Sequence, residues 1–225
     1  MERATGSAAE FHARDLPDDG RRRVWVWRVA SSALVLGSAQ PEAHVNRAAA
    51  AAAGVEVVRR RSGGSAVLLE PGGAVWVDVV LPAGDPLWDD DVGRAPRWLG
   101  RAWARALGEL GLPDAVVHPG PHTRGGWADY VCFAGLASGE VLVGGRKVVG
   151  VAQRRTRRAV RFQSAALLSW RPAELVALLH PPALPAAELA PCAAGLGELL
   201  GAVEPGEVEE ALVSALLATP VPTPD

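Results

Sequence analysis

Glu140-Val-Leu-Val-Gly-Gly-Arg-Lys-Val-Val-Gly-Val-Ala-Gln-Arg154 decides the fold class of this 225-residue chain. Two β-prone runs meet at a Gly-Gly pair, the two-residue signal of a tight hairpin. The stretch also holds Lys147, the only lysine among 23 basic residues. Arginine serves most structural uses of a positive charge. A retained lysine points to a need for a compact cation with three rotatable donors, the plain alternative being a surface lysine at a turn. In an extended strand Lys147, Val149, Val151 and Gln153 share a face. That parity predicts a partly desolvated ammonium beside two valines, able to meet negative charge developing in a site of low dielectric.

Outward from the hairpin, Ala159 to Trp170 reads as its sheet neighbour. Upstream, 24–30, 33–37, 55–59, 66–69 and 74–81 read as strands, the last with Val75, Val77 and Val79 alternating with Trp76, Asp78 and Val80. Short strands are expected at 115–118 and 129–134. Residues 42–53 are alanine-rich and helical by propensity. Val92 to Gly111 reads as an amphipathic helix through Leu99, Trp103, Leu107 and Leu110. From Pro172 the pattern turns helical. Strands and helices mix without strict βαβ alternation, which predicts an α+β domain with a mostly antiparallel sheet flanked by helices. One domain is expected over 23–218, with disordered tails at 1–22 and 219–225 and no separate C-terminal accessory domain.

Composition narrows the class. A net charge of −2 argues against a general nucleic-acid binder. No apolar run approaches the ~18 residues of a membrane span, and the polar start does not read as a signal peptide. Two cysteines cannot build a disulfide framework, so a cytoplasmic protein with reduced thiols is expected.

A second stretch carries chemistry: Arg59-Arg-Arg-Ser-Gly-Gly-Ser-Ala-Val67. Glycines let backbone N–H groups approach an anion, and arginine adds planar contacts to phosphate or carboxylate. A tight turn with solvated arginines is the ordinary alternative. No Gly-Lys-Ser/Thr follows, so it is not a Walker loop.

Together these stretches carry a resemblance. Residues 59–67 resemble the Arg-Arg-x-Ser-Gly-Gly-Gly-Ala-Val signature of lipoate–protein ligases. Gly145 to Arg154 resembles that family's Gly-(Arg/Lys)-Lys-Ile-x-Gly-x-Ala-Gln-Arg segment. Val131-Cys-Phe-Ala134 and Leu34-Val-Leu-Gly-Ser-Ala-Gln40 match two further segments, in the family's order. The chain is identified as a member of the biotin/lipoate protein ligase superfamily. The resemblance implies that superfamily's catalytic core and an ATP-dependent reaction with Mg²⁺. Lipoate or octanoate would become an acyl-adenylate, then pass to a lysine of a lipoyl-carrier domain. It implies Lys147 at the acyl carbonyl and α-phosphate. Arg60, Ser62, Gly63, Gly64, Ser65, Val67, Gly150 and Ala152 would bind substrate, with Gly150 allowing close approach.

The sequence departs from the family pattern in places. Ser65 replaces the third glycine, Gly73-Ala74 stands for Gly-Asn, and Phe162-Gln-Ser-Ala165 stands where a His-Gly pair is common. The family's accessory domain would be a separate subunit here or be dispensable. Two alternatives stay open. One is an octanoyl or lipoyl acyltransferase fed by an acyl carrier protein, with Cys192 as nucleophile. The other is a non-catalytic acyl- or carrier-binding member.

Weaker signals have ordinary readings beside functional ones. Cys132 reads as core or pocket wall. Asp89-Asp-Asp91 reads as a helix cap, though three carboxylates could hold Mg²⁺. Arg154-Arg-Thr-Arg-Arg158 reads as a solvated turn or a contact for phosphate or an acidic carrier. His44, His118, His122 and His180 lack metal-ligand spacing, and no metal site is expected. Trp25 or Trp76 could border an acyl tunnel.

Overall fold

The computed structural model describes residues 1–123, 125–180 and 185–220. In chain order its elements are β1 (Glu2–Gly6), α1 (Ala8–Ala13), β2 (Arg23–Val29), β3 (Ala33–Leu36), α2 (Arg47–Ala52), β4 (Glu56–Arg59), β5 (Val67–Leu69), β6 (Ala74–Pro82), α3 (Arg97–Glu109), β7 (Val116–Val117), β8 (Val141–Val143), β9 (Arg146–Arg155), β10 (Ala159–Leu167), α4 (Pro172–Ala177), α5 (Leu196–Leu200) and α6 (Pro205–Leu217). Seven strands form one sheet in the order β1-β2-β6-β10-β9-β8-β7, and a three-stranded sheet runs β4-β3-β5. Pairing in the large sheet is antiparallel except between β1 and β2. The expected α+β class with a mostly antiparallel sheet is what the chain forms.

The period-two pattern of β6 sorts residues onto two faces. Val75, Val77, Val79 and Leu81 pack with Leu99, Trp103 and Leu107 of α3 and with Leu212 of α6. Trp76 and Val80 face the other way, into a cluster with Phe11, Trp25, Trp27, Val35 and Leu69. The small sheet and α1 therefore cover the second face, and the inter-sheet space is where a site can form.

Four expectations change. Residues 1–22 are not simply a tail. β1 pairs with β2 from Glu2↔Trp25 to Gly6↔Val29, and Ser7 with Glu10 closes a capping box on α1. Phe11 stacks on Trp27 at 4.4 Å. At the other end, residues 221–225 of the second expected tail lie outside the described residues. The helix expected from Val92 begins at Arg97. Asp91 Oδ1 accepts from the backbone N–H of Gly93 (2.8 Å) and Arg94 (3.3 Å), and the turn this holds runs into Pro96, which has no N–H to donate. Residues 129–134 are not a strand. They curl through 3₁₀ turns at Gly126–Asp129 and Cys132–Ala134 and touch the small sheet by one bridge, Ala66↔Val131.

The fourth change concerns Lys147. The hairpin turn forms as read, with Gly144 and Gly145 at φ +57° and +77°, values open to glycine in a primed turn. Pairing then slips. Leu142 faces Lys147, but Val141 faces Val149, so Val148 is an extra residue. This bulge re-aims the side chains on either side of it. The Cε of Lys147 lies 3.5 Å from where a Cβ on Gly150 would stand. The lysine thus lies over Gly150, not on the Val149 face that strict alternation predicts.

Candidate active site

The loop after β4 is built around Arg60. The residue is 5% exposed, and its guanidinium points inward, donating to Gly63 O (2.9 and 3.1 Å), Ser65 O (3.0 Å) and Val35 O (3.4 Å). The expected contact with phosphate or carboxylate is therefore secondary to its work as the loop's internal brace. Gly64 has φ +99°, and a Cβ there would lie 2.5 Å from Arg60 Nη2. A Cβ on Gly37 would lie 1.6 Å from Gly64 O, so the turn after β3 and this loop interlock only through glycine. Ser38 N donates to Ser62 O at 2.9 Å. Ser65, the departure from the third glycine, is buried, and its hydroxyl donates to Ala128 O. It ties the loop to the curled segment.

That curl explains itself at Lys147. The Nζ donates to Cys132 O (2.8 Å) and Gly135 O (3.0 Å), and lies 2.6 Å from Glu140 Oε1. It sits 5.0 Å from the Phe133 ring centroid. Both partners of the ion pair are buried, with side-chain exposures of 1% and 4%. Glu140 is itself oriented by the backbone N–H of Ala137 (2.8 Å) and Val151 (3.3 Å). All three ammonium protons have acceptors, so the cation is fixed in position before any ligand arrives.

A cleft of about 580 Å³ opens over this lysine, a volume in the range of small-molecule sites. Arg60, Gly63, Gly64 and Ser65 form one wall, Lys147, Val151 and Ala152 the floor, and Arg94, Arg97 and residues 119–122 the far side. A chamber of about 60 Å³ lies behind it, lined by Val67, Trp76, Phe133 and Gly150 among others. Cleft and chamber share Arg60, Cys132, Val151 and Ala152. Residues 9–216 match the model of the lipoyl protein ligase A/B catalytic domain. The chain belongs to that family.

Solved structures of similar fold agree with the family. An ATP-bound lipoate-protein ligase A is 22% identical, with TM-score 0.72, covering 94% of this chain and 77% of that one. A bi-partite lipoate protein ligase from Thermoplasma acidophilum, studied with its E2 lipoyl domain, is 20% identical with TM-score 0.72, covering 97% and 84%. A Leishmania major biotin protein ligase is more distant, at 13% identity and TM-score 0.52, covering 96% and 72%. No curated protein sequence gives a significant match. At these identities the structures establish the fold.

Within this family member the expected residues divide. Arg60, Gly63, Gly64, Ser65, Lys147 and Ala152 line the cleft, and Val67 and Gly150 line the chamber. A methyl on Gly150 would make ordinary contact with Phe133 and Lys147, so its smallness leaves room and does not relieve strain. Ser62 lies outside both cavities. It is 1% exposed and donates to Gln163 Oε1 at 2.7 Å. Of the two tryptophans, Trp76 lines the chamber, while Trp25 lies under the Arg14 guanidinium at 4.3 Å.

Cys192 does not join the site. The chain passes close, with Ala194 N donating to Lys147 O at 3.0 Å, but the Cys192 thiol donates to Glu188 O. Burial, with the nearby Glu188 carboxylate, pushes its pKa up, which opposes thiolate formation. Asp89 pairs with Arg94 and Asp91 caps its turn. Among the described residues no group of three His, Cys, Asp or Glu side chains is placed to hold a metal. The donor set does not fit a protein-held Mg²⁺, which would have to arrive on nucleotide phosphates.

Three site residues escaped the sequence reading. In sequence Glu140 reads only as the start of an apolar strand, although a carboxylate heading such a strand seven residues before a lone lysine is a usable signal. Gln163 stood in a departure from the family pattern. His12 lay in the presumed tail, where Ser7-Ala-Ala-Glu10 already carries the capping-box signature.

Proposed function

We propose that this chain is the catalytic core of an ATP-dependent lipoate–protein ligase. The observation that carries the reading is Lys147, a buried and fully oriented ammonium at the floor of the cleft. In the first half-reaction a carboxylate oxygen attacks the α-phosphorus and pyrophosphate leaves. In the second the acceptor's lysine amine attacks the acyl carbonyl and AMP leaves. Negative charge grows on the phosphoryl oxygens, then on the carbonyl oxygen. A preorganised cation lowers the energy of both. Glu140 balances the ammonium when no ligand is present, while Cys132 O and Gly135 O keep it aimed.

The assignment of substrates rests on the cleft and on the relatives. The 580 Å³ cleft has room for a nucleotide, and the chamber behind it is mainly apolar. One relative was solved with ATP, and a Plasmodium falciparum relative with lipoate. The acceptor we assign is a lipoyl-carrier domain, as in the archaeal system. That system is bi-partite, which supports a separate accessory subunit here. Two free thiols fit a reducing compartment, and we place the protein in the cytoplasm. The Cys192 thiol, outside the cleft, bonded to Glu188 O and with its pKa pushed up, does not support the acyltransferase reading.

The test is intact-mass analysis of a lipoyl domain incubated with the protein, ATP, lipoate and octanoate. We expect acylation of one lysine that requires ATP. Acylation from acyl carrier protein without ATP would instead establish the transferase.

A further inference from the structure

The end of α1 leads into Asp15-Leu-Pro-Asp-Asp19, a strap that forms neither helix nor strand. Arg161 anchors its start. The buried guanidinium pairs with Asp78 and donates to Phe11 O at 2.8 Å and to Arg14 O at 3.4 Å. Each aspartate of the strap then takes a different arginine. Asp15 pairs with Arg61 at 2.7 Å, Asp18 with Arg158 in the β9–β10 turn, and Asp19 with Arg23 at the start of β2.

These arginines belong to one basic face. Arg154 stands opposite Arg161 in β10, Arg161 opposite Val80 in β6, and Val80 opposite Arg23. Residues directly opposite each other share a side of the sheet, so Arg23, Arg161 and Arg154 line up there. The Nη1 of Arg154 has no partner among the described residues. Burial, then the nearby Arg61 cation, pulls the Arg154 pKa down. Arg157 stands exposed beside Arg158. The carboxylates of the strap thus leave positive charge over. They also hold loosely: the Asp15 and Arg158 side chains are 86% and 75% exposed, and surface pairs of this kind add little stability and are screened by salt. The face borders the cleft. Arg61 follows Arg60 of the cleft wall, and Arg154 follows Gln153, which lines it.

We propose that this basic face docks the carrier domain through acidic side chains around its acceptor lysine, and that the Asp15–Asp19 strap is an internal stand-in which docking displaces. Complementary charge steers the encounter and fixes its register, which brings the acceptor lysine to the cleft beside the face. A net charge of −2 on the whole chain suits a local patch matched to an acidic protein, not a nucleic-acid binder. The inference rests on the ligase reading of the cleft and adds to it the surface that selects the acceptor.

Binding of a dye-labelled lipoyl domain to the full chain, followed by fluorescence anisotropy, tests it alongside lipoate-dependent ATP–pyrophosphate exchange on the same preparations. Exchange needs no carrier, so it reports on the cleft alone. Arg157→Glu/Arg158→Glu is expected to weaken carrier binding about tenfold or more, with exchange kept within about twofold of wild type. Asp15→Asn/Asp18→Asn unlatches the strap and is expected to tighten carrier binding about threefold. Wild-type binding should weaken as salt is raised. Carrier binding within about twofold of wild type in the arginine variant, loss of exchange in that variant, or no tightening in the aspartate variant overturns the inference. So does a lipoyl domain that fails to bind the wild type. Carrier binding that responds to both variants without any exchange in the wild type removes the ligase reading and leaves the docking face standing. Exchange without a response to either variant does the reverse.

Discussion

Lys147→Met should be far more destabilising than a surface lysine substitution. The ammonium and the Glu140 carboxylate are buried 2.6 Å apart, with side-chain exposures of 1% and 4%. Removing the cation leaves a carboxylate with two backbone N–H donors and no counter-charge. It also leaves Cys132 O and Gly135 O without their donor. Breaking a buried pair from one side costs about 3–5 kcal/mol, a large share of the ~5–15 kcal/mol that holds a domain together. With an m-value of about 2 kcal/mol/M, the urea midpoint falls by about 1.5–2.5 M. Lys147→Met/Glu140→Gln removes both charges and should recover to within about 1–2 kcal/mol of wild type, because replacing a whole buried pair is near neutral. The eight tryptophans give a fluorescence signal for urea unfolding. A single variant within about 1 kcal/mol of wild type, or a double variant no more stable than the single, would refute the reasoning.

Other outcomes follow from the same geometry. Gly37→Ala places a Cβ 1.6 Å from Gly64 O and should cost about 1–3 kcal/mol or more, read by thermal unfolding, with the Arg60 loop displaced. His12 has a folded pKa of about 3 against an ordinary 6.5. Between those values the unfolded chain binds more protons, so stability rises with pH there and is lost as pH falls. The slope should reach about 1.4 kcal/mol per pH unit at most, and His12→Phe should flatten it in urea titrations from pH 7 to 4. Cys192→Ala should leave lipoate-dependent pyrophosphate exchange within about twofold of wild type, since a change under ~0.5 kcal/mol is usual for a side chain outside the site. A loss of tenfold or more would return Cys192 to the chemistry.

How far the sequence was legible depended on the range of the interaction. The Gly144-Gly145 turn and the alternation along β6 are set by neighbours in the chain, and both read correctly. The Arg59–Val67 loop was legible as a motif, but not the direction of Arg60. Its inward aim depends on a loop closed by positive-φ Gly64, whose Gly63 and Ser65 carbonyls turn toward the guanidinium, and on Val35 O of β3, which is distant in sequence. The bulge at Val148 was invisible, because apolar residues on both sides of it satisfy either register. So the face of Lys147 came out wrong while its burial came out right. The curl at 126–134 has β-prone composition. It bends so that the Cys132 carbonyl, with that of Gly135 just after it, serves the lysine, a tertiary demand that overrides propensity. The first strand was missed because polar Glu2 to Gly6 shows no alternation, although Ser7 and Glu10 mark the helix that follows.

The most direct measurement of the central claim is isotopic exchange of pyrophosphate into ATP, with and without lipoate. It should be run on the wild type and on the folded Lys147→Met/Glu140→Gln protein. The account predicts exchange that requires lipoate in the wild type, and its loss by at least about a hundredfold in the variant, the scale of removing one preorganised electrostatic group. Exchange that survives in the folded variant, or that never depends on lipoate, would contradict it.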